Sequence, residues 1–355
     1  MAYVAVSGGE EAIEESIKLL DFYRSQTDKD MDLEVIENKM GLLIDRVMSE
    51  AGLYSKHYAA LALKQCEGCV EEAVFLLRAY RSTLTRNYYT NTVDSREMRL
   101  IRRISAAFKD VCGGQMLGPT YDYTHRLIHF ELEHEDAKLM NRQAKALVKS
   151  QIPEELTFCD RVSDQLKDEG LIDSCCEDNT IPYDVTEHML RFPTERSARL
   201  QTLTRADTGF ISGLAYSSLR GFGQVHPTVG ELRSGYVELT VPYLFDKDQC
   251  IHIGEILVTE VECFNEAEDK DRLKLGVGYG VVFGRNENKA IAMAVLDREL
   301  ENKGPNPTQD EEFVLMHGDS LEMNGFLSHL KLPHYVTFQS KLDAIRKTRG
   351  GNNET

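Results

Sequence analysis

Gly235-Tyr-Val-Glu-Leu-Thr-Val-Pro242 and Cys250-Ile-His-Ile-Gly-Glu-Ile-Leu-Val-Thr-Glu-Val-Glu-Cys263 are dense in β-branched and aromatic residues, and each predicts a strand. A third strand is predicted over 278–283, where Gly-Tyr-Gly-Val-Val-Phe follows a charged loop. Directly behind it, residues 286–300 carry a helical pattern with Ala290, Met293, Ala294 and Leu296 facing inward. Strands that lead into helices, without strict alternation, predict an α+β fold. The C-terminal half should therefore hold a small, mainly antiparallel or mixed sheet packed by helices.

Toward the N-terminus the pattern turns helical. After a short apolar start at 4–7, Gly8-Gly9 opens a helix to about Arg24. Leu33, Ile36, Met40, Leu43, Ile44 and Val47 recur at spacings of three and four, as do Val70, Ala73, Val74, Leu77, Tyr80 and Leu84. Met98, Ile101, Ile104 and Phe108 predict one more helix, ending near Gly113-Gly114. Residues 131–190 read as one or two surface helices with a loop around 174–179, and 200–219 as a helix closed by Gly221-Phe-Gly223. Three regions result: a helical one over 1–112, a ligand-loop and variable surface region over 113–200, and an α+β region over 201–355.

Composition narrows the function. The chain has 355 residues, with 41 basic and 58 acidic side chains and a formal net charge of -17. Such acidity argues against a general nucleic-acid binder, which needs a basic surface, but leaves room for one anionic ligand held by local arginines. A folded monomer of this mass exposes roughly 14,500 Å² of some ~58,000 Å² available, so a large core is affordable. No apolar run approaches membrane-spanning length, and the N-terminus lacks a basic region, so a soluble cytoplasmic chain is expected. Its 8 cysteines are then expected to be reduced. Cys66-Glu-Gly-Cys69 stands alone between helical patterns and reads as a helix junction rather than a zinc or redox motif.

Several segments carry chemistry. Gly276-Val-Gly278-Tyr-Gly280 resembles a dinucleotide turn, but a strand follows it where a helix would be needed, so turn glycines beside a strand are the better reading. Ser7-Gly8-Gly9 opens a helix, yet Glu10, Glu11, Glu14 and Glu15 would repel phosphate there. Arg96, Arg99, Arg102 and Arg103 fall on the predicted helix, where three guanidiniums can converge on a ligand or form a solvated face. Gly113-Gly-Gln-Met-Leu-Gly-Pro-Thr-Tyr-Asp-Tyr-Thr-His-Arg126 crowds Gln115, Tyr121, Asp122, Tyr123, His125 and Arg126 onto one loop. His125 and His129 are four apart and can share a metal or stand as surface residues. Arg220, His226 and Arg233 sit among further glycines. In His329-Leu-Lys-Leu-Pro-His334, a continuous helix would set the imidazoles roughly 140° apart, whereas a bend at Pro333 lets them converge.

Taken together these segments resemble the I subunit of the bacterial carbon–phosphorus lyase core complex, the PhnI family. The likeness rests on Ala5-Val-Ser-Gly-Gly-Glu, Ala60-Leu-Ala-Leu-Lys-Gln, Phe75-Leu-Leu-Arg-Ala-Tyr-Arg and the 113–127 loop. It continues in Gly221-Phe-Gly-Gln-Val-His-Pro, Glu231-Leu-Arg-Ser-Gly-Tyr, Gln309-Asp-Glu-Glu-Phe-Val-Leu and Ser328-His-Leu-Lys-Leu-Pro-His-Tyr-Val. The stretch near 131–195 matches poorly, and Ser7 stands where the family often has lysine.

The resemblance implies phosphonate catabolism. With companion subunits PhnG, PhnH, PhnJ and PhnL, the family makes α-D-ribose 1-methylphosphonate 5-triphosphate from ATP and methylphosphonate, releasing adenine. Alone, the subunit resembles a purine nucleosidase acting on ATP or GTP. His329 and His334 resemble its zinc ligands at the interface with the radical-SAM subunit PhnJ. Displacement at the anomeric carbon passes through an oxocarbenium-like state and needs the leaving purine protonated, which nominates Asp122 or His125 as general acid. The triphosphate, with magnesium, calls for Arg102, Arg103, Arg126 and Arg233, with Gln115, Tyr121 and His226 as further substrate contacts. A scaffold that mainly assembles partners and supplies zinc ligands is the alternative, and an independent nucleosidase a third reading.

Overall fold

The strand-forming stretches pair into one four-stranded sheet, ordered β1 (Arg99–Ile104), β2 (Thr228–Tyr243), β3 (Asp246–Asp269), β4 (Arg272–Phe283), every neighbour antiparallel. The computed structural model describes residues 9–149, 159–173, 180–223, 226–269, 272–302 and 304–350. Ser7 and Gly8, the 174–179 loop and Gln224-Val225 lie outside these residues.

Helices α1 (Glu10–Arg24), α2 (Leu33–Lys39), α3 (Gly41–Ala51), α4 (Lys56–Gln65) and α5 (Val70–Ser82) precede the sheet. Residues Ile44, Val47, Met48, Ala59, Leu63, Val74 and Leu77 give α3, α4 and α5 a common apolar core, to which Ile36 of α2 adds. Between β1 and β2 come α6 (Ala137–Lys149), α7 (Val162–Asp168), α8 (Arg196–Arg205) and α9 (Thr208–Ser217). After β4 follow α10 (Glu287–Glu301), α11 (Glu311–His317), α12 (Ser320–Ser328) and α13 (Tyr335–Gly350). Cys66 caps the end of α4 and Cys69 the start of α5, so the CxxC is a helix junction.

Period-two alternation gives the sheet two distinct faces. One carries Leu232, Val261, Cys263 and Val282 and is covered by α10 through Met293 and Leu296, with α8, α9 and α11 completing the main core. The 276–280 glycines lie on β4 and serve this packing. A Cβ on Gly280 would stand 2.2 Å from the Ala290 carbonyl oxygen, so the helix can settle on the strand only if that position is glycine. No helix starts there, and the dinucleotide reading stays excluded.

The opposite face is apolar at one end, around Met98, Val237 and Val258, and charged at the other. There Arg103, Arg233, Glu231, Glu260 and Glu262 are buried. Ion contacts tie the N-terminal helices to the rest: Arg46 of α3 reaches Asp207 at 3.0 Å, and Arg78 of α5 donates to the Glu50 and Arg205 carbonyls.

One predicted helix is not a helix. The segment around Arg99–Ile104 pairs with β2 in the register Arg103↔Arg233, with an irregularity between Leu100 and Arg102. Its three-and-four spacing of Met98, Ile101 and Ile104 was outweighed by edge pairing with a long strand. The consequence is functional, because Arg102 and Arg103 now point to opposite faces of a sheet.

Candidate functional site

The arginine-rich strand and the 113–126 loop are one structural unit. Arg103 N donates to Met116 O and Met116 N to Arg103 O, both at 2.7 Å, so the loop is laid along β1. Gly118 makes this possible: its φ is +62°, and a Cβ there would meet the Ile101 carbonyl oxygen at 2.3 Å. Gln115 is used within the loop itself, donating to the Phe108 and Lys109 carbonyls and accepting from Ser105 N.

Arg102 is buried, and three groups converge on it. Its Nη2 donates to Asp122 Oδ2 at 2.7 Å, its Nη1 to the Leu117 carbonyl, and its Nε lies 2.8 Å from Glu287 Oε1. Arg126 adds a second guanidinium at 3.6 Å from Asp122 Oδ1 while its Nε donates to the Tyr121 carbonyl. Burial pushes the Glu287 carboxyl above the ordinary glutamate range, Arg102 opposes the rise, and neighbouring Asp122 adds to it. Glu287 was not among the residues chosen from sequence. As the first residue of α10 it reads as an ordinary helix-start acid, and only the fold brings it to Arg102. Tyr121, Tyr123 and His125 are exposed beside this cluster, and His129 faces Glu131 rather than His125.

The other expected substrate arginines are elsewhere. Arg103, on the far face, donates to Glu231 Oε1 at 2.5 Å and to the Cys112 and Asp160 carbonyls. Arg233 donates to the Ser95 carbonyl at 2.7 Å and lies 3.6 Å from Glu260. Both are 2% exposed, so neither stands beside Arg102 or open to a ligand. His226 lines a separate cleft of about 750 Å³ with Phe108, Phe264 and Asn265. Arg220 stacks its guanidinium 6.0 Å from the Tyr216 ring centroid.

His329 and His334 do converge. α12 stops at Ser328, a short 3-10 turn spans His329–Lys331, and extended Leu332 precedes Pro333. The imidazole centroids are 5.4 Å apart, inclined by 59°. Each Nδ1 faces a backbone carbonyl, that of Phe326 for His329 and that of Leu332, at 2.6 Å, for His334. A carbonyl only accepts, so Nδ1 carries the proton and Nε2 keeps the lone pair a metal needs. The donor pair therefore fits zinc as two of four ligands. Among the described residues no group of three or more His, Cys, Asp or Glu is placed to hold an ion, so further ligands would come from water, substrate or another chain.

The family described as bacterial phosphonate metabolism protein (PhnI) matches residues 2–352, and the chain belongs to it. A protein of Stutzerimonas stutzeri named putative C-P lyase subunit protein HtxH is 44% identical, covering 98% of this chain and 96% of its own. The Escherichia coli K12 protein named alpha-D-ribose 1-methylphosphonate 5-triphosphate synthase subunit PhnI is 43% identical over 99% of both chains. Its namesake in Rhizobium meliloti is 42% identical, covering 98% of this chain and 95% of its own.

Proposed function

We propose that this PhnI-family chain is a subunit of an α-D-ribose 1-methylphosphonate 5-triphosphate synthase and takes part in displacing adenine from ATP by methylphosphonate. End-to-end likeness to relatives named for that synthase carries the reading. The Arg102–Asp122–Glu287 cluster supports it chemically.

The leaving purine needs a proton as the C–N bond breaks, and an up-shifted carboxyl beside a cation is suited to give one. Glu287 fits that role better than His125, which is exposed and, among the described residues, is held by no hydrogen bond or ion pair. Asp122, ion-paired to Arg102, would position the ribose or the purine edge, and Arg126 would meet the triphosphate, which carries magnesium as part of the substrate. A phosphonate is already anionic near neutrality, so no strong base is required for it. Arg103 and Arg233 hold the sheet together instead, so companion subunits would complete the triphosphate clamp. PhnG, PhnH, PhnJ and PhnL are the companions the family suggests. His329 and His334 would hold zinc toward PhnJ; the ion would supply Lewis acidity or a fixed geometry there. A cytoplasmic setting follows from the same reading.

The alternative, a scaffold without its own turnover, is favoured by one observation. Large apolar side chains are exposed along 121–132 and 326–338, among them Leu127 at 81% and Phe326 at 66%. Both readings are separated by adenine release from ATP or GTP by the purified chain, alone and with companions, in the presence of methylphosphonate. Release that companions redirect from ribose triphosphate to the phosphonate adduct is expected. A Glu287→Gln variant should lower it by about a hundredfold or more. A folded chain with no release in either setting leaves only the scaffold.

A further inference from the structure

Arg81 near the end of α5 and Arg205 at the end of α8 face each other across the C-terminal cap of α3. Arg81 Nη1 and Arg205 Nε lie 3.4 and 3.7 Å from the point where a Cβ on Gly52 would stand. Both side chains are half-buried. Among the described residues neither guanidinium has a carboxylate within 4.0 Å, and Arg205 Nε is buried with no hydrogen-bond partner. The nearest acids are already engaged: Asp319 binds Arg78 at 2.5 Å, and Asp184 binds Arg86. Burial, then repulsion from Arg78 and Arg81, brings Arg205 down to about 10; burial and Arg86 lower Arg81 in the same sense. A cleft of about 410 Å³ opens beside Arg205, lined also by Thr202, His188, Leu315 and Met316. Arg205 alone of the two arginines lines this cleft; Asp319, engaged by Arg78, lines it too, and Glu187 and Glu322 reach it but are exposed and screened by solvent.

Like charges held together with no carboxylate in direct ion-pair contact cost free energy that an anion can return. Two guanidinium forks match an oxyanion with two charges and several acceptor oxygens, whereas a carboxylate would neutralise only one of them. We propose that Arg81 and Arg205 form a binding site for a doubly charged oxyanion of the phosphate class, either free phosphate or the phosphoryl end of a nucleotide. The site stands whether or not the chain transfers ribosyl groups, since it uses none of the Arg102 cluster.

The test titrates the full chain with inorganic phosphate, ATP and acetate at constant chloride-balanced ionic strength, reading Tm and calorimetric affinity. Phosphate should raise Tm where acetate does not. Arg81→Gln and Arg205→Gln should each weaken phosphate binding by about tenfold to a hundredfold. In phosphate-free buffer neither variant should lower Tm, because each relieves repulsion. Arg205→Lys keeps the charge without the fork and should bind with intermediate affinity. If ATP competes with phosphate and weakens in the same variants, the ligand is a nucleotide phosphoryl group; if ATP ignores them, it is free phosphate. Phosphate acting no more strongly than acetate overturns the site. So does unchanged affinity in the variants, or a Tm loss equal with and without phosphate, which would mark both arginines as structural.

Discussion

Arg103 and Arg126 are both arginines of the same loop-and-strand unit, yet burial sets them apart. Arg103 is 2% exposed and its partner Glu231 likewise, so Arg103→Ala strands a carboxylate in the sheet. It should lose about 3–5 kcal/mol of stability in urea denaturation, with activity falling only through unfolding. Arg126 is exposed, and Arg126→Ala should leave stability within about 0.5 kcal/mol while raising the KM for nucleotide. Acid stability has its own marker. Burial pushes Asp184 up, but Thr186 and then Arg86 outweigh it and carry its pKa down from 3.8 to about 2. A depressed carboxyl contributes stability that is present above the unfolded value and is lost as pH falls toward the folded one. Solvent screens this partly exposed pair, so Asp184→Asn should cost about 1 kcal/mol near pH 6, and the gap to the parent chain should close as pH falls toward about 2. A gap that is constant with pH would contradict the assignment.

Strand β4 and helix α10 meet through glycine, and that contact is open to a direct comparison. A Cβ on Gly280 would lie 2.2 Å from Ala290 O, while one on Gly325 in α12 meets nothing within 4 Å. Gly280→Ala should cost about 1–3 kcal/mol by forcing the helix off the sheet. Gly325→Ala should gain about 0.5–1 kcal/mol by stiffening a helix interior, and the two urea midpoints should move in opposite directions. The same contrast explains what the sequence made legible. β2, β3, β4 and α10 were readable because β-branched density and helical period agree with their tertiary partners. β1 was not, because it is six residues long and its partner lies over a hundred positions away. Convergence of Arg99, Arg102 and Arg103 was a consequence of the helical period; once the segment is a strand, Arg99 reaches Glu255, Arg102 reaches Glu287 and Arg103 reaches Glu231. Glu287 was invisible for the same reason, since nothing local distinguishes it from other helix-start acids. The histidine pair was legible because Pro333 announces the bend that brings the rings together.

Exposed apolar surface is concentrated in a few places among the described residues. Helix α1 has no buried residue, although Ile13, Ile17 and Leu20 form a stripe at helical spacing. The 121–132 loop and the 326–338 turn around His329 and His334 are the other exposed apolar surfaces. An apolar stripe left largely exposed among the described residues is further stabilised when a partner covers it, which fits relatives named as subunits. Hydrogen–deuterium exchange of the isolated chain, compared with the chain assembled with its companions, reads this directly. Amides of α1, 121–132 and 326–338 should exchange rapidly alone and become protected on assembly, while α3 and α10, already buried, should not change. On the proposed zinc reading, His329→Ala with His334→Ala should lower the zinc content of the assembled complex, read by metal analysis, without altering exchange in α10. If protection appears at α1 but not at 326–338, the partner docks on the helical end and the histidines are not at an interface. If none of the three surfaces gains protection, the exposed stripes do not mark contacts with those companions.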